Sequence, residues 1–109
     1  MKKILSVLAL ALLTATASMA QSTWKVDKAH AKLSFTITHM MISDVDGSFK
    51  DFDATITSAK PDFSDAAFEM TANTASVNTD NEKRDGHLKS PDFFDAEKYP
   101  AITFKSTSF

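Results

Sequence analysis

The residues that could do chemistry are few. The chain carries three histidines, His30, His39 and His87, and no cysteine. Imidazoles are good zinc ligands, but these spacings match no ligand motif and no thiolate assists them. Ser, His and Asp all occur, yet no G-x-S-x-G nucleophile elbow is present. The carboxylate pairs Asp44/Asp46 and Asp51/Asp53 stand at strand spacing i, i+2. Each pair therefore shares one face, most simply the solvated one. No constellation specifies a reaction, so the expectation is no enzyme, with no catalytic residue, no metal and no cofactor. Two glycines are too few for a Gly-rich nucleotide fingerprint. Twelve basic residues face fourteen acidic ones, which lacks the basic surplus of a nucleic-acid binder.

Residues 82–88, Glu-Lys-Arg-Asp-Gly-His-Leu, offer a different chemistry. They are charged, and the chain turns apolar at Leu88, Phe93 and Phe94. This is either a solvated connection whose apolar residues plug a sheet end, or a polar lip over an apolar cavity. In the second reading Arg84 and His87 meet an anionic head group.

The elements that must position these groups begin after residue 20. Lys2 and Lys3 precede an apolar run over residues 4–17 that is too short for a good membrane span. Ser18-Met19-Ala20 supplies small residues at a cleavage site. Residues 1–20 are therefore expected to be a secretory signal peptide, which places residues 21–109 in the periplasm without a stable membrane span. All nine Phe, the one Trp and the one Tyr lie beyond residue 20, while leucine there is limited to Leu33 and Leu88. That composition favours strands. No linker or repeat divides it, so it reads as one unit.

Residues 31–39 alternate strictly, with apolar side chains at odd positions, as a sheet with one wet and one buried face requires. A second strand starts at Val45. Val45, Gly47 and Phe49 share one parity and Phe52, Ala54 and Ile56 the other, which predicts a β-bulge at Lys50-Asp51. Residues 60–65 form a loop. A third strand over residues 67–78 also shifts parity midway. Residues 80–89 suit one short helix capped by Thr79 or Asp80. Ser90-Pro91 suits a second helical turn. A last strand begins near Tyr99-Pro100 and carries Ile102 and Phe104. The aromatic stripe could fill a sandwich core or line a barrel able to hold a ligand.

Blocks of this chain resemble the YceI-like family. They are W-K-V-D-K-A-H-A-K-L-S-F-T-I-T-H at residues 24–39, G-S-F-K-D-F at 47–52 and S-V-N-T at 76–79. R-D-G-H-L-K-S-P-D-F-F-D at 84–95 and Y-P-A-I-T-F-K-S at 99–106 follow in family order. Ala31 stands where Ser is usual, and Asp53 where Gly is common. The resemblance implies an exported bacterial protein with a lipocalin-like antiparallel barrel. It implies binding of an isoprenoid or similar amphiphilic lipid rather than catalysis. Strand parity then directs Leu33, Phe35, Ile37, Phe49, Phe52, Ile56, Ile102 and Phe104 to the lumen. His39, Arg84 and His87 go to the rim; Arg84 alternatively makes a structural ion pair with Asp85.

The family domain is longer than this chain. Four or so strands cannot close a barrel, which needs about eight. The expected architecture is thus mainly β, an incomplete half barrel with one or two short helices and open edges. A chain of that kind is a truncated form, a fragment, or a module that pairs with a copy of itself or another partner.

Overall fold

The computed structural model describes residues 20–109. The expected signal peptide lies almost wholly outside these described residues. Among these described residues seven strands are formed: β1 (Ser22–Lys25), β2 (Leu33–His39), β3 (Ser43–Phe49), β4 (Phe52–Ser58), β5 (Ala67–Asn73), β6 (Val77–Asn78) and β7 (Ala101–Lys105). One helix, α1 (Glu82–Leu88), follows β6, and a 3-10 turn, Thr74–Ser76, separates β5 from β6. The strands make two antiparallel sheets, ordered β1-β4-β5-β7 and β2-β3-β6. They do not close into a barrel among the described residues.

The count exceeds the expected four strands for two reasons. The first is β1, which is only four residues long and pairs along β4, with Trp24 opposite Ile56. The second is that both long strands break. Where a bulge was expected at Lys50-Asp51, the chain leaves the second sheet at Phe49 and enters the first at Phe52. A bulge keeps one partner across the kink; here the partner changes from β2 to β1. The parity shift in the third strand is the other side of the same corner, since β5 and β6 also belong to different sheets. The two corners are tied together. Lys50 N–H donates to Ser76 O at 3.1 Å and Asn73 N–H to Asp51 O at 2.8 Å. Asp51 N–H donates to Ser76 Oγ at 3.1 Å.

The short helix forms where expected but with a different cap. Asp80 takes a left-handed φ of 58°. That turn leaves Asn81 extended, and its Oδ1 accepts from Arg84 N–H at 2.9 Å. The segment after α1 is a turn instead of a second helix. Ser90 O accepts from Phe93 N–H and again from Asp95 N–H, so the chain reverses before a helix can propagate.

Directly opposed residues on neighbouring antiparallel strands share a face. The first sheet therefore presents three apolar rows: Trp24–Ile56–Phe68, Ala54–Met70–Phe104 and Phe52–Ala72–Ile102. The second presents Leu33–Phe49, Phe35–Gly47 and Ile37–Val45. Gly47 is dictated by its partner: a Cβ there would stand 2.7 Å from Phe35 Cε2, inside the ring's own space. These rows are sparsely covered. Among the described residues the buried apolar side chains are Ala66, Ala72 and Val77, while Trp24, Ile37 and Phe104 remain 44%, 50% and 52% exposed.

Candidate ligand-binding face

The eight side chains assigned to a lumen from sequence fall on these apolar rows. Leu33 faces Phe49, and Phe35 covers Gly47, with the Phe35 and Phe49 rings 5.7 Å apart. Phe52 and Ile102 flank Ala72 in one row; Ile56 lies between Trp24 and Phe68. Phe104 stands opposite Met70, with its ring 5.8 Å from Phe68. At the corner, Phe49 and Phe52 line one cleft of about 290 Å³, joined by Lys28, Ala31, Lys32, Ser48 and Lys50. A second, apolar cleft of about 180 Å³ runs between Trp24, Val26, Ala54, Ile56 and Phe68.

The set assigned to the lumen from sequence leaves out Trp24, Met70 and Phe68, although Phe68 belongs to the aromatic stripe. The alternation of Phe68, Met70 and Ala72 was readable, and it placed them on a strand. Only the β4–β5 register shows that they continue the rows of Ile56 and Phe52. Trp24 carried no periodic signal, because four residues are too few for one.

The three rim residues do not converge. His39 ends β2 opposite Ser43. Arg84 and His87 lie on α1, which packs near β6, and β6 pairs with the Phe49 end of β3. Six strand residues, about 20 Å, separate the two ends of that ladder. Arg84 is engaged with Thr79: its Nε donates to Thr79 Oγ1 at 2.7 Å and its Nη2 to Thr79 O at 2.8 Å. Asp85, buried, accepts from Thr79 N–H at 2.9 Å and from Thr79 Oγ–H at 2.6 Å. The arginine and the carboxylate thus meet through Thr79 and not as a direct ion pair. His87 Nε2 lies 3.1 Å from Asp92 Oδ2 and packs edge-on against Phe93, 4.9 Å between centroids. Phe94 meets Phe49 at 5.7 Å, so this part of the segment does plug the sheet end.

The histidines stand apart from one another in chemistry as well. His30 Nδ1 lies 2.8 Å from Asp27 Oδ2, which holds the Asp27 carboxyl below its ordinary range. Among the described residues no three His, Asp or Glu side chains gather as a metal set. Nor is any helix among them long and apolar enough to cross a membrane.

Two antiparallel sheets joined at a common corner, with one apolar face left open, make a partial barrel wall of the lipocalin-like kind. The chain belongs to the YceI-like family, whose domain model matches residues 24–109. It is 45% identical over 82 residues to a UPF0312 protein of Staphylococcus aureus, covering 75% of this chain and 48% of that one. Among solved structures it resembles Burkholderia cenocepacia BcnA, with TM-score 0.69 and 30% identity over 76% of this chain and 52% of that one. It also resembles a YCEI protein of Campylobacter jejuni, with TM-score 0.53 and 44% identity over 75% of this chain and 48% of that one. The chain spans about half the length of the relatives it matches.

Proposed function

We propose that this chain is part of an exported, periplasmic binding protein for an isoprenoid or similar amphiphilic lipid, and that it acts by binding and not by catalysis. The observation that carries this is the open apolar face. Six cross-strand rows end in side chains that pack on one another only in part, as Trp24, Ile37 and Phe104 show. A lipid tail laid along these rows would gain about 0.8 kcal/mol per methylene removed from water. Membership of the YceI-like family supports the ligand class, and residues 1–20 have the make-up of a signal peptide.

Lipid extraction and native mass spectrometry of protein purified from the periplasm test the reading. A copurifying or titratable isoprenoid is expected. A folded, intact sample that neither carries nor takes up such a lipid refutes it.

A second reading rests on the sheet edges. β1 and β7 each pair on one side only, as does β2. An interaction module would use such edges to pair with a second copy or another chain. Light scattering separates the two: a well-folded, ligand-free monomer counts against the module, and an edge-paired homodimer supports it.

A further inference from the structure

The β2–β3 hairpin ends in a feature that cargo binding does not use. Its three-residue tip is Met40-Met41-Ile42, and these side chains are 78%, 94% and 90% exposed. Met40 and Met41 both take left-handed φ values, 52° and 59°, where glycine or asparagine is the usual occupant. Ile42 N–H donates to His39 O at 3.2 Å and closes the turn. The backbone thus holds three large apolar side chains outward beyond the last ladder pair, His39–Ser43. A strand added along the free edge of β2 would end below them.

Behind the tip the hairpin is two-sided. On the outer face Thr38 Oγ1 donates to Asp44 Oδ1 at 2.8 Å and Thr36 Oγ1 to Asp46 Oδ1 at 2.7 Å, a polar flank. On the inner face the apolar ladder runs from the tip through Ile37–Val45 to Phe35–Gly47. Residues 33–49 contain two aspartates, one histidine and no lysine or arginine.

We propose that this hairpin tip inserts into the headgroup–hydrocarbon boundary of a lipid bilayer. A narrow protrusion of unbranched and aliphatic side chains suits a deformable medium better than a rigid protein pocket, and interfacial burial scales with apolar area. Without basic residues the hairpin has no electrostatic claim on anionic lipid, so the surface it fits is zwitterionic. The apolar ladder then connects the docked tip with the binding face. The inference goes beyond the cargo reading and does not depend on it.

The test uses the full chain and phosphatidylcholine vesicles containing no isoprenoid, so failure to bind them leaves the extraction result standing. Cosedimentation is expected, and Met41→Asp or Ile42→Asp should weaken it roughly tenfold or more. Because the chain has no cysteine, Met41→Cys and Phe104→Cys each carry a single polarity-sensitive fluorophore. The probe at position 41 should shift to the blue on vesicles and be quenched by lipid brominated near the headgroup. Circular dichroism of each variant, and of Met41→Gly, which suits the left-handed turn, should match the parent. Undiminished binding by both aspartate variants overturns the proposal. So does a shift confined to position 104, which would mean the open face adsorbs instead. Loss of a self-associated species in Met41→Asp, with vesicle binding intact, overturns it in favour of a second copy.

Discussion

Thr79 donates its backbone N–H and its hydroxyl to the same oxygen of Asp85, at 2.9 and 2.6 Å. That hydroxyl also accepts from Arg84 Nε, so one threonine, directly after β6, holds both Arg84 and Asp85 of α1. A helix of seven residues is too short to be stable by itself. The Thr79 linkage fixes it to the sheet.

Asp85→Ala should therefore destabilise the fold. Two buried donors on Thr79 lose a charged acceptor, which costs about 2–3 kcal/mol. Asp85→Asn keeps an acceptor oxygen and should cost less. Urea unfolding followed by circular dichroism measures both. An unchanged midpoint for Asp85→Ala would show that the linkage contributes nothing.

Gly47→Ala should destabilise because its Cβ enters the space of the Phe35 ring. Overpacking of this kind typically costs about 1–3 kcal/mol. The remedy is on the partner strand: Phe35→Leu withdraws the ring, and the double variant should recover part of the loss. A double-mutant cycle reads the coupling, expected at roughly 0.5 kcal/mol or more. Strict additivity would place the cost of Gly47→Ala elsewhere.

Acid should loosen the loop between β4 and β5. The Ser58 hydroxyl, 2.6 Å from Asp65 Oδ1, and Ala59 N–H hold the Asp65 carboxyl below its ordinary value of 3.8. Ser64 N–H does the same for Asp62. A carboxylate whose folded value is depressed adds stability above its unfolded value, and that contribution disappears as pH falls through the folded value. The urea midpoint should thus drop below about pH 4. Asp65→Asn should flatten that part of the profile while lowering the midpoint at neutral pH. A variant profile parallel to the parent's would remove Asp65 from the account.

How much of this was legible in the sequence depends on the range of the interaction. Alternation over residues 31–39 announced β2 and its apolar face, because a strand's side-chain period is local. The parity switch at Lys50-Asp51 was equally visible. Its meaning was not: a bulge and a corner differ only in which strand each half pairs with, and the second half pairs with β1, distant in sequence from β4. Charge at residues 82–88 was plain, but Arg84 reaches Thr79 only because Asp80 turns left-handed between them. The rim residues share a character, not a place, since His39 and α1 sit at opposite ends of one ladder.

Trp24 offers a direct reading of the binding face. It is the one tryptophan of the chain, sits in the row with Ile56 and Phe68, and packs its ring 4.9 Å from Phe63. It is also a wall of the 180 Å³ apolar cleft and is 44% exposed to water. A tail entering that cleft removes water from the indole, so titration with an isoprenoid alcohol should shift the emission to the blue in a saturable way. Trp24→Phe abolishes the signal but should leave binding by extraction close to that of the parent, since a ring still closes the row. Phe68→Asp places a charge at the cleft floor and should weaken binding roughly tenfold or more, because an apolar tail would then bury an unpaired carboxylate. Saturable binding unaffected by Phe68→Asp would put the tail on the other sheet, along Leu33, Phe35 and Ile37, and Leu33→Asp would then carry the loss.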